Sequence, residues 1–200
     1  MNRSKISVLG YALLGLVHQK PSSGYDLRKT FTETALGSFS DSPGAIYPAL
    51  NRLEKSGLIA SKVEDSAGLR RRRIYQLTDT GEKTLKQWLS QPVTRNEIVR
   101  GLDELMLRFA FMDLALGSDA AIALLRSMSS ELDGYVPELK QYLRDLGPSM
   151  PLSAMLALDS GVRNYETLQH WVVYAVETFE KAAANESNST FKPARSGGQS

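Results

Sequence analysis

Cysteine is absent from the 200 residues. That excludes disulfides, thiolate metal sites and a cysteine nucleophile. Histidine is nearly absent. His18 and His170 stand far apart in the chain, so neither a zinc pair nor a histidine-centred catalytic constellation is expected. His18 reads as a residue at the end of the first helix and His170 as one on the exposed flank of the last. No apolar run approaches the ~20 residues that a membrane helix needs. The stretch Val8 to Val17 is too short and lacks a small-residue cleavage site after it, so it reads as a buried helix and not as a signal peptide. The expectation is a cytoplasmic protein, not an enzyme, with no cofactor, no metal and no membrane partner.

Hydrophobic residues, 42% of the chain, suffice to bury the core of one large domain or two small ones. The formal charge of +2 hides an asymmetry. Residues 1–90 hold 14 Lys and Arg against 8 Asp and Glu, whereas residues 91–184 hold 8 against 13. A basic front and an acidic back direct the front half toward a polyanion.

Hydrophobic spacing predicts a helix over 7–19, with Val8, Leu9, Ala12, Leu13, Leu16 and Val17 recurring at helical intervals. Lys20 to Gly24 breaks it, and Ser22 or Ser23 can cap a second helix from Gly24 to about Ala35. Gly37 and the polar run to Ser42 form a turn. A third helix opens at Ser42-Pro43, with Ser42 as cap and Pro43 as first residue. Its apolar stripe is Ile46, Ala49, Leu50 and Leu53, and Gly57 ends it. Pro48 is awkward within it, because its ring would crowd the carbonyl of Gly44. Leu58 to Glu64 and Arg70 to Leu77 are strand-like, with a turn at Asp65 to Gly68. Thr78 caps a fourth helix with Leu85, Trp88 and Leu89 on its apolar face.

Gln91-Pro92 marks a boundary. Beyond it the pattern is helical, over about 98–112, 118–146 (with a kink near Gly134 or Pro137) and 153–184. From Asn185 the composition predicts disorder. The expected architecture is mainly α. A winged helix-turn-helix of three helices, a β-hairpin wing and a fourth helix occupies 1–90. A helical dimerisation and effector domain occupies 91–184, and a tail 185–200.

The order helix, helix, helix, hairpin, helix makes the third helix the candidate for the DNA major groove and the hairpin the candidate for a neighbouring backbone or minor groove. Opposite the apolar stripe lie Ala45, Pro48, Asn51, Arg52 and Lys55. Gly44 and Ala45 are small enough for close approach. Asn51 can pair with adenine and Arg52 with guanine or phosphate. Tyr47 at the flank can donate to phosphate. A solvated face of a core helix would carry the same residue types. The run Arg70, Arg71, Arg72, Arg73 is the strongest charge signal, and alternation along a strand sends two arginines to each face. Four adjacent like charges are best tolerated beside a polyanion, although solvated charge runs are common. Ser23 and Tyr25, at the start of the second helix, offer a phosphate site or plain capping. On the last helix Leu158, Val162, Tyr165, Leu168, Val172, Ala175 and Phe179 step by three or four over five turns and are the expected dimer stripe. Tyr165, Trp171 and Tyr174 are candidates for a small aromatic effector. The alternative to a DNA-binding regulator is a protein-interaction module on a winged scaffold, which would normally have lost the Asn51–Arg52 face and the arginine wing.

Four segments in order resemble the PadR-type transcriptional regulators: Leu9 to Leu16, Ser23 to Leu27, Ser42 to Ile59, and Arg73 to Gly81. Together they cover about residues 5–90. The later helices look like the longer branch of that family, with a virulence-activator-like C-terminal region. In that family the Tyr-Pro pair is normal, so Pro48 does not count against the third helix. The resemblance implies a homodimer that binds double-stranded operator DNA, an inverted repeat, through paired winged domains. It also implies dimerisation through C-terminal helices and repression of a nearby operon. In some members a phenolic acid or another small effector relieves that repression.

Overall fold

The structure is a computed structural model, and it describes residues 6–39, 43–64 and 71–190. Eight α-helices and three strands follow one another among those residues. Contacts group the chain into two compact units: Met1–Gln91 with Leu102–Gly117, and Pro92–Gly101 with Ser118–Ser200.

The first unit is built around α1 (Val8–Gln19). Seven of its residues are buried, from Leu9 to Val17 and on more than one side, as expected of a helix that is hydrophobic nearly all round. Ser7 caps it, accepting a hydrogen bond from the Gly10 N–H at 3.2 Å. Around it pack α3 (Ile46–Lys55), α4 (Asp79–Leu89), α6 (Leu102–Leu116) and the strand β3 (Arg72–Leu77). β3 pairs antiparallel with β2 (Ile59–Glu64) on one side and with the two-residue β1 (Ser22–Ser23) on the other. The register sets Ser61 against Tyr75 and Val63 against Arg73. Between β1 and the wing come α2 (Gly24–Glu33) and two 3-10 turns, Ala35–Phe39 and Pro43–Ala45.

Two details depart from the sequence expectation. The third helix begins at Ile46, with Ala45 at its cap position and no side-chain cap bond. Pro48 therefore sits in the first turn, where a missing N–H is harmless; Ser42, the expected cap, lies outside the described residues. Ser22 and Ser23 form a strand as well as the entry to α2, a pairing too short to leave a period-2 signature. Contacts group α6 with the first unit. A Cβ on Gly15 would lie 2.5 Å from the Phe111 ring, so α1 and α6 approach as closely as they do because residue 15 has no side chain. Arg108, 1% exposed, reaches the C-terminal end of α4 and donates to the carbonyls of Leu89 (3.2 Å) and Gln91. A cation there satisfies carbonyls that the helix leaves open and complements its dipole. The indole of Trp88 stacks on Tyr11 at 4.4 Å and donates to Glu104 of α6 at 3.2 Å. Burial, and then the Glu104 carboxylate, push the Tyr11 hydroxyl above its ordinary pKa.

The second unit contains α5 (Arg95–Arg100), α7 (Ser118–Leu146) and α8 (Leu152–Thr190). The expected helix over 98–112 is thus two helices, α5 and α6, parted at Gly101. A capping box of Thr94 and Glu97 starts α5. Arg95 ties α5 to α7 through Glu138 at 2.6 Å and lies over the Tyr135 ring. α7 and α8 run antiparallel: Arg126 bonds Glu180, Asp133 bonds Gln169, and Lys140 bonds Glu166, so partner numbers fall as α7 advances. Pro137 lies inside α7. α8 continues to Thr190, past the expected start of disorder at Asn185; residues 191–200 lie outside the described residues. No described helix is long and apolar enough to cross a membrane.

Candidate nucleic-acid interface

α3 has two unlike faces. Ile46, Ala49, Leu50 and Leu53 are buried, which fixes the rotation of the helix about its axis. That rotation leaves Tyr47, Pro48, Asn51, Arg52 and Lys55 exposed. Gly44 is exposed and Ala45 half-buried in the turn that leads into the helix. The C-terminus of α3 closes on Gly57 at φ +70°, a left-handed residue that lets the chain reverse into β2.

Beside α3 opens a cleft of about 670 Å³, lined by Ser23, Gly24, Tyr25, Tyr47, Asn51, Arg71, Arg72, Arg73 and Tyr75. The sequence motifs from the α2 start, α3 and the wing thus converge on one surface. Gly24 makes room for it: a Cβ there would stand 2.8 Å from Cε1 of Tyr47. Tyr75 is buried, 4% exposed. Its hydroxyl is pushed above the ordinary value, first by burial and then by the Glu54 charge and Tyr47, against the opposing pull of Arg73.

The predicted site residues do not all stand alike. Tyr25, 60% exposed, and Tyr47, 46% exposed, offer their rings and hydroxyls. Ser23 is 6% exposed. Its hydroxyl donates to Asp26 Oδ2 at 2.7 Å and accepts the Asp26 N–H at 3.1 Å. It is engaged as the α2 cap, and the neighbouring carboxylate disfavours a phosphate at that point. Arg71, Arg72 and Arg73 are exposed, but Arg73 is also bound within the protein. Its Nε donates to Ser61 Oγ at 2.7 Å and its Nη2 to Glu54 Oε2 at 2.7 Å, and its guanidinium lies 5.5 Å from the Tyr75 ring centre. Arg70 and Ser42 lie outside the described residues.

On α8 the expected dimer stripe is partly covered within the single chain. Val162, Val172 and Ala175 are buried within the single chain, and Leu158, Tyr165, Leu168 and Phe179 are half-buried. Tyr165 meets Tyr135 edge-to-face at 5.1 Å. The large apolar residues that α8 leaves exposed are Leu152, Leu156, Val173 and Tyr174. Of the aromatic effector candidates, Tyr165 and Trp171 are half-buried and Tyr174 exposed.

Glu54 and Ser61 went unrecognised in the sequence. Each is an ordinary polar residue; the pairing of β2 with β3 brings Ser61 to Arg73, and the packing of α3 brings Glu54.

A three-helix core with a β-hairpin and a polar, cationic third-helix face defines a winged helix-turn-helix protein. The sequence model of the transcriptional regulator PadR-like family matches residues 13–87. Over those residues the chain resembles that family. It is similar to the negative transcriptional regulator PadR of Bacillus subtilis (strain 168), 35% identical over 115 residues, which are 57% of this chain and 62% of that protein. It is also similar to the transcriptional regulator YqjI of Escherichia coli (strain K12), 29% identical over 91 residues, which are 46% of this chain and 40% of the relative. The chain thus spans less than two thirds of these curated relatives. Among solved structures it resembles Bacillus subtilis PadR in complex with operator DNA, at 28% identity and a TM-score of 0.40, covering 86% of this chain and 99% of that one.

Proposed function

We propose that the protein is a homodimeric, DNA-binding transcriptional repressor. α3 enters the major groove, the arginine wing holds the adjacent backbone or minor groove, and two copies read an inverted repeat with half-sites roughly 34 Å apart. The observation that carries this reading is the cleft itself. Asn51 from the face of α3 opposite its buried stripe, Tyr25 and Tyr47, and Arg71 and Arg72 from the wing line one surface. Asn51 and Arg52 have the donor and acceptor geometry to read base edges, whereas the wing arginines and tyrosines suit phosphates. Repression, as against activation, follows the name of the Bacillus subtilis relative, a negative regulator.

Dimerisation belongs to the second unit. α8 supplies the contact, from the half-buried Leu158, Tyr165, Leu168 and Phe179 of the expected stripe and from the exposed Leu152, Leu156, Val173 and Tyr174. Relief by a small aromatic ligand completes the scheme, on the chemistry of Tyr165, Trp171 and Tyr174. Dissociation of the DNA complex on adding p-coumaric acid as a probe tests that part alone.

The reading is tested by fluorescence anisotropy of the full chain with duplexes from upstream of its own coding sequence and with a scrambled duplex, across a salt series. Selective binding that weakens steeply with salt is expected. Equal, weak binding to both duplexes would favour a winged scaffold that serves protein contacts.

A further inference from the structure

Arg73 of the wing is held by partners on β2 and α3. Strand alternation places Ser61, Val63, Arg73 and Tyr75 on one face of the β2–β3 pair, and Tyr75 is buried on that face. Glu54, on the last turn of α3, is held on both oxygens: Oε1 accepts from Ser61 Oγ at 2.6 Å and Oε2 from Arg73 Nη2 at 2.7 Å. Arg73 Nε returns to Ser61 Oγ at 2.7 Å. The three side chains close a ring of hydrogen bonds that spans α3, β2 and β3. The carboxylate side chain is 25% exposed and the arginine 50%, so the ring is partly sheltered from water.

We propose that Arg73 is a positioning residue and not a phosphate ligand: with Glu54 and Ser61 it clamps the wing to the recognition helix and sets the spacing at which both meet DNA. The proposal rests on the DNA-binding reading and reverses the role that its arginine run suggests. Two donors of the guanidinium fork are directed into the protein at once, a geometry that an ammonium cannot reproduce. Glu54 is an acid beside a cationic DNA-facing cleft. On charge alone its removal would strengthen binding to a polyanion. As part of a clamp, its removal frees both the helix and the wing.

The discriminating substitutions are Glu54→Gln and Arg73→Lys, made in the full chain. Both are tested on the upstream duplex and the scrambled duplex, with amide hydrogen exchange of the free protein alongside. For Glu54→Gln the clamp predicts roughly tenfold weaker binding to the upstream duplex, the size of change expected when about 1.4 kcal/mol of preorganisation is lost. Binding to the scrambled duplex should hold or tighten, and the salt dependence should steepen as Arg73 becomes free to reach phosphate. Arg73→Lys keeps the charge and should lose selectivity nonetheless. Both variants should exchange faster over 59–64 and 72–77 without any DNA present, which tests the clamp even where the DNA-binding reading fails. The proposal is overturned by unchanged exchange in those strands. It is equally overturned if Glu54→Gln tightens both duplexes alike, or if Arg73→Lys binds as the wild type does.

Discussion

Removing Arg71 and Arg72 together should change how binding responds to salt more than any other feature of the protein. Both line the cleft beside α3. On the proposed reading each neutralises a phosphate in each half-site, so a dimer of Arg71→Ala/Arg72→Ala loses about four phosphate contacts. Each lost contact takes about 0.9 from the slope of log K against log salt, so the slope should flatten by about 3.6. Between about 50 and 200 mM salt the wild type should lose roughly 150-fold more affinity than the variant. The deficit of the variant is therefore greatest at low salt and nearly closes at high salt. Anisotropy titrations at four or five salt concentrations measure this directly. Parallel lines for wild type and variant, at any offset, would refute the assignment of these arginines to phosphates.

Further predictions follow from the packing. A fragment ending at Gln91 lacks Phe111 against Gly15 and Arg108 at the end of α4. It should melt without a sharp transition in circular dichroism, whereas a fragment ending at Gly117 should unfold cooperatively; equal behaviour would mean that α6 is dispensable to the first unit. Arg108→Met keeps the length of the side chain but leaves the Leu89 and Gln91 carbonyls without their donor. It should cost about 1–3 kcal/mol in urea unfolding, and an unchanged midpoint would contradict the inferred role. Tyr11, Tyr75 and Tyr165 all have hydroxyls raised chiefly by burial. A raised acid favours the folded state below its unfolded value of about 10, and that contribution fades as pH climbs through the folded values. The melting temperature should therefore fall above about pH 10, and less so in Tyr11→Phe.

The sequence made legible what local physics decides. The caps Ser23 and Thr78 lie where the residue types predict. The stripe of Ile46, Ala49, Leu50 and Leu53 gave the rotation of α3, and with it the exposed Asn51 and Arg52. Long-range partnership was not legible. Arg108 reads as a polar interruption in an apolar helix until α4 is seen to end beside it. Arg73 reads as one of four equal charges until the fold brings Ser61 of β2 and Glu54 of α3 to it. Period alone marks the stripe on α8 as apolar, but it cannot say whether such a face meets its own chain or a second copy.

The most direct test of the central claim, that the exposed face of α3 reads bases, is the ratio of affinities for the upstream and scrambled duplexes in Asn51→Ala and Arg52→Ala. The account predicts that each substitution costs roughly 1–3 kcal/mol on the upstream duplex. The scrambled duplex should be little affected by Asn51→Ala, so the ratio collapses while the fold, read by circular dichroism, stays intact. A ratio that survives both substitutions would contradict the account and place recognition elsewhere than on α3.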